Sequence, residues 1–414
     1  MSDCCSAPGL MPFETALGQL LDNVQAPRKT QLIAIEDCLD RVSAKTIISP
    51  IFVPPNDNSA MDGYAFSFAS INEISNTELE IVGRSFAGEP FTASTKIGQC
   101  IRIMTGAKMP DCCDSVVMQE NTKVVDGKLT FTTLPTASGS NVRNKGEDIS
   151  VGQQVFEQGH KFAAIDIGLL ASLGVANVEV YAPVTVALLS TGDELRRPGE
   201  CLGDGDIFES NRYALNALLQ RLNVNVIDLG IIRDDKQAIR EAFIKADKEA
   251  DVVISSGGVS VGEADYTKDI LTELGEVGFW KIAMKPGKPF AFGKLPNSVF
   301  FGLPGNPVSA LVTFYKLAIP GIEKMQGMPF KQAAKFAAIT TTRLKKSPGR
   351  MDFQRAIFTY DEQGVARVTS TGTQGSGVLS SLGKANCFIV LEEEQGNVEQ
   401  GDTVFVEPFD FAFQ

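Results

Sequence analysis

The sequence predicts a multidomain protein of the α/β and β classes: a doubly wound α/β domain, an inserted β module, an elongated helical segment and a C-terminal β-barrel. Three observations support this prediction. The chain has 414 residues, which at roughly 100–200 residues per domain suggests two to four domains. Residues 184–325 alternate apolar strands with helices, as in a doubly wound sheet. Residues 50–146 and 328–414 instead have short strands separated by turns.

The first predicted element is a helix over residues 10–26. Apolar side chains recur there at helical spacing, and Pro27 ends the pattern. These side chains are Phe13, Leu17, Leu20, Leu21 and Val24. A second short helix over Leu32–Asp40 and a strand over Val42–Ile48 are expected to follow.

A β module is expected over residues 50–146, because the pattern there changes to short strands and turns. Strands are predicted at Glu80–Val82, Cys100–Met104, Ser115–Gln119, Lys123–Val125 and Leu129–Thr133. Asp126 and Gly127 separate the last two strands, and this dipeptide is a strong signal for a two-residue hairpin.

Residues 147–178 are expected to return to helix. Four apolar side chains share one face there, and Gly174 is a typical helix end; the four are Ile165, Leu169, Leu170 and Leu173. Together with residues 1–49 they would form one discontinuous helical domain around the β module.

Residues 179–327 are predicted to form the doubly wound α/β domain. The run Val184–Leu189 is apolar except for Thr185, as expected for a central parallel strand buried on both faces. The further elements are a helix from Ser210, a strand Val224–Leu229, a helix Lys236–Ala250, a strand Asp251–Ser255 and a helix Tyr266–Leu274. A hairpin at the sheet edge is expected over Phe290–Phe301, followed by a final helix over Pro307–Met325.

Residues 328–414 are predicted to form a small β-barrel or sandwich. Five strands are expected, at Phe336–Thr342, Phe353–Thr359, Val365–Ser370, Cys387–Leu391 and Thr403–Val406.

The overall charge limits the possible partners. Fifty acidic residues against thirty-eight basic residues give a net charge of −12, which argues against general binding of nucleic acids or anionic membranes. No apolar stretch approaches the roughly 20 residues of a membrane span, and we expect no signal peptide and a cytoplasmic location. An anionic small substrate would need a local basic pocket.

Histidine and cysteine usage excludes several chemistries. The chain has one histidine, His160, which we expect in a surface loop, so sites with several histidine ligands are impossible. The eight cysteines form no CxxC motif and are expected to be free thiols in a reducing compartment. A redox role for the adjacent pairs Cys4–Cys5 and Cys112–Cys113 is the less favoured alternative.

Carboxylates follow three strands of the predicted α/β domain, at the edge where open sheets bind ligands. They are Asp193 and Glu194 after the first strand, Asp234 after the second and Asp265 after the third. The third strand also leads into a glycine-rich turn that contains Gly257, Gly258 and Ser260, and such a turn before a helix favours phosphate. Carboxylates beside a phosphate site indicate Mg²⁺.

This edge of the sheet has two other interpretations. The glycine spacing is neither GxGxxG nor GxxxxGK[ST], which disfavours a dinucleotide site of the Rossmann type and a Walker NTPase. The aspartates Asp193, Asp234 and Asp265 are alternatively helix N-caps, a common use of aspartate.

A compact cationic segment is predicted at Lys281, Lys285 and Lys288, around a proline–glycine turn. In an acidic protein this segment suits a tetrahedral oxyanion or phosphate, although a solvated loop is the alternative. The stiff segment that contains Pro304, Pro307 and Ser309 is expected to shape a loop on the ligand side.

Two turns of the β module contain polar residues that the spacing alone does not distinguish from ordinary turn chemistry. One contains Asp57, within the run PPNDNSAMDGYA, and the other contains Thr105, at the end of a predicted strand.

At these segments the chain resembles the molybdopterin molybdenumtransferase family, which includes bacterial MoeA proteins and the E domain of gephyrin. The stretches are DNSAMDGYA (57–65), IMTGA (103–107), STGDEL (190–195), ISSGGVSVGEADY (254–266), KPGKP (285–289) and GLPGNPVSA (302–310). The likeness extends over nearly the whole chain. It departs at Asn56, where many members have an aromatic residue, and this should alter loop packing more than chemistry.

The resemblance implies the last step of molybdenum cofactor synthesis, in which adenylated molybdopterin and molybdate react and AMP leaves. It also implies an elongated homodimer, an α/β domain similar to that of a MogA-like adenylyltransferase partner, and downstream proteins that handle the cofactor. Whether molybdate or tungstate is preferred stays open.

The resemblance further implies roles for particular residues. Asp193, Glu194, Asp234 and Asp265 would position Mg²⁺ and the adenylated phosphate, with Glu194, Asp234 and Asp265 as metal ligands. Lys281, Lys285 and Lys288 would hold molybdate or phosphate oxygens, and Pro304 and Pro307 would shape the loop. Asp57 and Thr105 would come from the neighbouring subunit, while Arg350 and Ser376 would line the pocket.

Two rival functions remain at this point. A Mg²⁺-dependent adenylyltransferase of the same α/β fold is disfavoured by the additional β domains. A non-catalytic scaffold is disfavoured because no receptor groove is evident in the sequence.

Overall fold

The computed structural model describes residues 9–26, 29–71, 78–258, 266–410 and 413. The chain divides into two compact units: unit 1 comprises residues 1–31, 40–42 and 181–414, and unit 2 comprises residues 32–39 and 43–180. Within the described residues, no helix is both long and apolar enough to cross a membrane.

The first helix, α1 (Phe13–Asn23), belongs to the core of unit 1. It is shorter than the predicted span of 10–26, and it begins directly after Pro12. Its buried face consists of Phe13, Ala16, Leu17 and Leu20, at the helical spacing that the sequence indicated. We expected this helix in the elongated helical segment; instead these residues pack with the apolar side chains of the α/β domain.

Unit 2 is richer in strands than predicted. Its elements, with β1 beginning at the boundary, are β1 (Thr30–Ala34), a 3₁₀ turn (Ile35–Asp37), β2 (Ile47–Ile48), β3 (Asn58–Ser59), β4 (Gly63–Phe66), α2 (Phe68–Ile71), β5 (Glu78–Ser85), β6 (Gln99–Ile103), β7 (Ser115–Met118), a 3₁₀ turn (Gln119–Asn121), β8 (Thr122–Val125), β9 (Lys128–Phe131), β10 (Val142–Arg143), β11 (Gln154–Phe156), α3 (Ala164–Ser172) and β12 (Asn177–Tyr181).

Three predicted elements of the helical segment are wrong. The helix expected over Leu32–Asp40 is replaced by β1 and a 3₁₀ turn, because β1 pairs with β12 and short apolar runs do not distinguish strand from helix. Of the strand expected over Val42–Ile48, only β2 (Ile47–Ile48) is present. The helix expected over 147–178 is limited to α3: Gly152 and Gly159 adopt positive φ values of 82° and 86°, which a helix cannot continue through.

The predicted β module forms a six-stranded sheet in the order β7-β4-β6-β5-β9-β8. All five predicted strands are present with bounds shifted by a few residues. The hairpin prediction is confirmed: β8 and β9 pair antiparallel from Val125 opposite Lys128, and Asp126 and Gly127 both have positive φ, as a type I′ turn requires. Apolar side chains such as Phe66, Leu79 and Val117 are buried on one side of this sheet.

The α/β domain of unit 1 has a six-stranded sheet in the order β16-β13-β17-β21-β20-β18. The first four strands of that order are parallel, and β20 and β18 are antiparallel to their neighbours. The elements are β13 (Thr185–Thr191), β14 (Leu195–Arg196), β15 (Ile207–Phe208), α4 (Asn211–Arg221), β16 (Asn225–Ile232), α5 (Lys236–Glu249), β17 (Val252–Ser256), α6 (Tyr266–Leu274), β18 (Glu276–Lys281), β19 (Met284–Lys285), β20 (Pro289–Lys294) and β21 (Val299–Leu303).

Helices cover both faces of this sheet, as the doubly wound prediction required. Leu188 and Ile254 face a core shared with α1 and α4, whereas Leu189 and Val253 face α5 and α6. The predicted hairpin exists as β20 and β21, but its position at the sheet edge is wrong. β21 pairs with β17 and β20 pairs with β18, so β18 is the edge strand.

A helical run from Pro307 to Met325 ends the α/β domain, as predicted, but it has three parts. These are α7 (Pro307–Thr313), a π-helical segment (Phe314–Ala318) and α8 (Ile319–Met325). Most of its side chains are buried, which explains why the sequence shows no polar face there.

The C-terminal domain closes into the predicted β-barrel. Its elements are β22 (Phe336–Thr340), β23 (Met351–Tyr360), β24 (Ala366–Ser370), α9 (Leu379–Gly383), β25 (Cys387–Leu391) and β26 (Thr403–Pro408). The pairing runs β23-β24-β22-β26-β25 and returns from β25 to β23. Phe353 and Phe388 of the barrel pack in the same core as the helices of the α/β domain, so the two domains share unit 1.

Candidate active site

A cavity of about 920 Å³ lies at the carboxyl edge of the parallel strands of unit 1. Residues at the ends of three strands line it: Ser190 and Thr191 of β13, Ser256 of β17, and Pro304 after β21. This is the edge at which open α/β sheets bind ligands, and its volume suits a small-molecule substrate. The predicted location of the site is therefore also the location of a large cavity.

Two of the predicted carboxylates, Glu194 and Asp234, line this cavity. The carboxylate of Asp193 accepts a hydrogen bond from the backbone N–H of Asp234 at 3.2 Å, which links the segments that follow β13 and β16. Burial, together with the charges of Asp193 and Glu194, raises the pKa of Asp234 above its usual value. The three acidic groups therefore form one electrostatically coupled cluster.

The helix-capping alternative is wrong for two of these aspartates. The N-cap of α5 is Asp235, whose carboxylate accepts from the backbone N–H of Ala238 at 2.8 Å. No helix begins directly after Asp193, because the chain continues into β14. The predicted site residues Asp265 and Ser260 lie outside the described residues. Among the described residues, no group of three acidic, histidine or cysteine side chains is arranged to hold a metal ion.

The glycine-rich turn after β17 begins at the cavity with Gly257 and Gly258, which both line it. Both have positive φ, and a Cβ on Gly258 would lie 2.5 Å from Thr267 Oγ1 of α6. The N–H of Gly257 donates to the carbonyl of Leu303 at 3.1 Å, which holds the turn against the end of β21. A larger residue at position 258 would force the turn away from α6.

A buried charge network that the sequence reasoning missed forms the inner wall of the cavity. Glu209 is 3% exposed, and its carboxylate accepts from the Ser190 hydroxyl and from Arg212 Nε, the latter at 2.9 Å. Arg212 also pairs with Asp228 of β16. Since Ser190 and Glu209 both line the cavity, this network fixes the end of β13 relative to α4. The sequence did contain a signal for this network: the oppositely charged residues Glu209 and Arg212 lie at the predicted start of a helix.

Asn211, the first residue of α4, was also missed. Its side-chain N–H₂ donates to Ser256 Oγ at 2.9 Å and to the carbonyl of Gly305 at 2.7 Å. The side chain thus joins the end of β17 to the proline-containing loop after β21. Its Oδ1 atom is buried and has no hydrogen-bond partner among the described residues.

The predicted cationic turn lies beside the cavity rather than in its wall. Pro289 lines the cavity and directly follows Lys288, but none of the three lysines is among the described lining residues. Lys285 Nζ lies 3.4 Å from a carboxylate oxygen of Asp352, a residue that is only 2% exposed. Gly287 is required at the turn because a Cβ there would collide with Thr313 Oγ1 of α7. Lys285 therefore has a structural partner that sequence reasoning did not identify.

The proline-containing loop has the expected position. Pro304 and Pro307 line the cavity, while Ser309 is buried within α7. A loop of the barrel reaches the same place: the backbone carbonyl of Ser376 accepts from the N–H of Val308 at 3.0 Å, and the adjacent Gly377 lines the cavity. Arg350 is half-buried just before β23 and is not among the described lining residues.

Comparisons with known proteins assign this architecture to a family. Three family profiles match successive parts of the chain: the MoeA N-terminal region (domain I and II) over residues 11–174, a probable molybdopterin binding domain over 187–324, and the MoeA C-terminal region (domain IV) over 337–409. The chain is 48% identical over 402 residues to the molybdopterin molybdenumtransferase of Haemophilus influenzae, with 97% of this chain and 99% of that protein covered.

The chain belongs to the MoeA family.

Further members support this assignment. The molybdopterin molybdenumtransferase of a Nostoc species is 32% identical, over 96% of this chain and 93% of that protein. A crystal structure of the molybdopterin biosynthesis MoeA protein from Pyrococcus horikoshii matches with a TM-score of 0.83 at 28% identity, covering 97% of this chain and 100% of that chain. Because MoeA-type regions flank the central domain on both sides, the adenylyltransferase alternative is not favoured.

The remaining predicted site residues, Asp57 and Thr105, lie in unit 2, within the part matched by the MoeA N-terminal profile. The exposed Asp57 carboxylate accepts from the backbone N–H of Lys145 at 2.6 Å. Thr105 donates from its N–H and its hydroxyl to Asp62, at 2.8 and 2.7 Å. The backbone N–H bond from Thr105, reinforced by the hydroxyl, lowers the pKa of Asp62. Each turn is thus hydrogen-bonded to a distant segment of unit 2, and Asp57 retains an exposed carboxylate.

The histidine has a hydrogen-bond partner within unit 2, and the described cysteines form no disulfide. His160 lies at a turn of unit 2, bonded through Nε2 to Asp166 at 2.7 Å. Six of the cysteines are described and all are free thiols, as predicted. Burial raises the pKa of Cys100 to about 12, and it also raises the pKa of Cys113. A redox role for the described pair Cys112–Cys113 is disfavoured, because reactive thiols need a lowered pKa; Cys4 and Cys5 lie outside the described residues.

Proposed function

We propose that this protein is a molybdopterin molybdenumtransferase, which inserts molybdenum from molybdate into adenylated molybdopterin and releases AMP. One observation carries the proposal: the acidic cluster, the glycine turn and the proline-containing loop converge on one cavity in a member of the MoeA family. The substrate is large and anionic, so it needs the kind of cavity that the strand ends provide.

The residues around the cavity suit cleavage of a phosphoanhydride. The turn at Gly257 and Gly258 leads toward α6, and a helix N-terminus of this kind favours phosphate oxygens. Pro304 and Pro307 hold the opposite wall rigid, and a preorganised site stabilises developing charge without reorganising. No protein nucleophile is needed: an oxygen of water or of molybdate can attack the phosphorus, so that AMP and the pterin phosphate separate. The dithiolene sulfurs of the substrate become the ligands of molybdenum in place of molybdate oxygens.

We also propose that Mg²⁺ assists the reaction, held by Glu194 and Asp234 together with Asp265. The donor set fits, because hard carboxylate oxygens are the ligands that Mg²⁺ takes in proteins. Burial and the charges of Asp193 and Glu194 raise the pKa of Asp234, and a divalent cation would relieve the repulsion between these carboxylates. When bound, Mg²⁺ supplies neutralisation of charge on the phosphate oxygens.

The cationic turn is proposed to hold molybdate or phosphate oxygens through Lys281 and Lys288, with Lys285 held in place by Asp352. Arg350 precedes the barrel strand β23, which pairs with the lysine-containing β19, and is proposed to contribute to the same anion site. Ser376 and Ser309 are proposed to contact the substrate from the loop and helix next to Pro307.

The proposal also covers the oligomeric state, the protein partners and the cellular compartment. We propose a homodimer in which Asp57 and Thr105 of one subunit complete the site of the other, since a two-fold interface repeats each contact both ways. A MogA-like adenylyltransferase would supply the substrate, and cofactor-handling proteins would accept the product. The free thiols of the chain favour a reducing compartment, and we propose the cytoplasm.

An assay of AMP release from adenylated molybdopterin, with and without molybdate, tests the proposed function. We expect AMP release that depends on molybdate and on Mg²⁺, and its strong reduction in Glu194→Gln with an unchanged melting temperature. AMP release without molybdate would indicate a different reaction. Formation of adenylated molybdopterin from ATP would establish the adenylyltransferase, and no turnover in either direction would favour a scaffold.

A further inference from the structure

The wall of the strand-end cavity has two chemically different parts. Its inner part is polar, with Ser190, Glu209 and Asn211 in a hydrogen-bonded network. Its outer part is formed by large apolar side chains that are exposed to solvent: Ile207, Phe208 and Tyr266. We call these last three residues the apolar lip. An exposed aromatic side chain is common on protein surfaces, so the lip needs further support before a role is assigned.

The lip is held rigidly to the acidic cluster. β14 and β15 pair in parallel, with Leu195 opposite Ile207 and Arg196 opposite Phe208. The N–H of Ile207 donates to the carbonyl of Glu194 at 2.9 Å, so the lip and the carboxylate share a backbone hydrogen bond. An ion pair at 2.9 Å between Arg196 and Asp206 closes the loop that separates the two strands.

Two adjacent residues of this segment differ in their surroundings. Glu209 directly follows Phe208 and its carboxylate joins the buried network, while Phe208 remains 47% exposed. The same backbone stretch therefore fixes the inner charge network and presents an aromatic ring at the cavity mouth. Tyr266, which is 43% exposed, begins α6 and lines the cavity as well.

We propose that Phe208 stacks on a planar heteroaromatic ring of the substrate while the glycine turn, beside the acidic cluster, holds its phosphates. This inference rests on the proposed function, because it takes the substrate to be an anionic nucleotide–pterin conjugate. Such a molecule has a flat ring at each end, adenine or pterin, and phosphate between them. Aromatic side chains bind flat rings in offset-stacked or edge-on arrangements that add to the area they bury.

The structure also defines the variants that separate stacking from simple apolar contact. Phe208→Leu keeps an apolar side chain of similar size and removes the ring, whereas Phe208→Tyr keeps the ring. Phe405 in β26 of the barrel offers a matched control: it is 53% exposed and is not among the described residues that line the cavity. Phe405→Leu therefore makes the same chemical change at a similar exposure.

Calorimetric titration of the full-length protein with three probes in Mg²⁺ tests the proposal. The probes are AMP, ribose 5-phosphate, which lacks the base, and 6-hydroxymethylpterin. We expect Phe208→Leu to raise the Kd of AMP or of the pterin about tenfold, with ribose 5-phosphate unchanged. The affected probe identifies the ring that stacks. Phe208→Tyr should bind as the wild type does, Phe405→Leu should be without effect, and all variants should melt at the wild-type temperature.

The outcomes separate this inference from the proposed function. Wild-type binding of AMP or 6-hydroxymethylpterin with the Kd of both probes unchanged in Phe208→Leu would overturn the stacking role and leave the function standing. An equal loss for AMP and ribose 5-phosphate would also overturn it, because the effect would not depend on the base. A wild-type protein that binds neither ring-containing probe and releases no AMP in the molybdate assay would overturn both.

Discussion

Removal of the Glu209 carboxylate is the sharpest structural test of how the cavity is held. Glu209 is 3% exposed and Arg212 is 7% exposed, so the charges of this pair are largely removed from water. In Glu209→Ala the guanidinium of Arg212 would keep Asp228 but lose its other carboxylate, and the Ser190 hydroxyl would lose its acceptor. An unfolding experiment should therefore show a large decrease in the free energy of unfolding.

The size of the loss follows from the contacts. Breaking a buried ion pair by removing one partner costs about 3–5 kcal/mol, and the retained pair with Asp228 places Glu209→Ala near the lower limit. Glu209→Gln keeps the shape but loses the charge: its amide oxygen can accept from Arg212 Nε, and its N–H₂ can donate to the Ser190 hydroxyl. Charge-assisted bonds exceed neutral ones by about 1 kcal/mol. We therefore expect the free energy of unfolding to fall by about 3 kcal/mol in the alanine variant and by about 1 kcal/mol in the glutamine variant.

Urea unfolding followed by tryptophan fluorescence and circular dichroism measures these differences, and Glu273→Ala is the matched control. Glu273 also pairs with an arginine, Arg240, but the glutamate is exposed, so its removal should leave the unfolding midpoint nearly unchanged. Equal midpoint shifts for Glu209→Ala and Glu273→Ala would refute the argument that burial of the network determines its contribution.

Three further predictions concern the site. Because the pKa of Asp234 is raised in the folded state, the ionised carboxylate lowers the stability of the fold above that pKa, and this cost is absent at strongly acidic pH. The melting temperature of Asp234→Asn should therefore equal or exceed that of the wild type at pH 7, and the difference should vanish in acid. The same variant should lose AMP release. A lower melting temperature at neutral pH would contradict this sign. We expect Lys285→Ala to lower the free energy of unfolding by roughly 1–2 kcal/mol, because the buried Asp352 loses its ion pair with Lys285. Adding Asp352→Asn to that variant should restore the melting temperature. Failure of this rescue would show that loss of the ion pair is not the cause. Mixing inactive Asp57→Asn and Asp265→Asn subunits should restore up to roughly a quarter of wild-type activity for random pairing in a two-fold dimer, whereas mixed dimers without activity would place each site within one chain.

The elements of the α/β domain were largely predictable because their signals are local. The run Val184–Leu189 is apolar except at Thr185, a composition typical of a strand buried on both faces. The helix Tyr266–Leu274 has the predicted bounds, and the turn at Asp126 and Gly127 has the predicted hairpin. The carboxyl edge of such a sheet is a fixed consequence of its parallel strands, so the cavity at Glu194 and Asp234 could be located from sequence.

The helical segment shows where local signals fail. Residues 32–34 are apolar enough for either a helix or a strand, and the pairing of β1 with β12, nearly 150 residues away in the chain, decides between them. The place of α1 was likewise not predictable. Its apolar stripe specifies that one face is buried, but not that its partners are the side chains of the α/β domain and the barrel.

For this protein, the sequence by itself determined the class of fold, the edge of the sheet that holds the site and the acidic character of that edge. These properties follow from composition and spacing within short segments, where the physical causes act between neighbours in the chain. Only the tertiary structure decided which polar groups are paired. Glu209 with Ser190, Asn211 with Gly305, and Lys285 with Asp352 are contacts between segments, up to 94 residues apart. Whether such a group is a buried partner or a free ligand depends on what the fold places against it, and no local pattern contains that information.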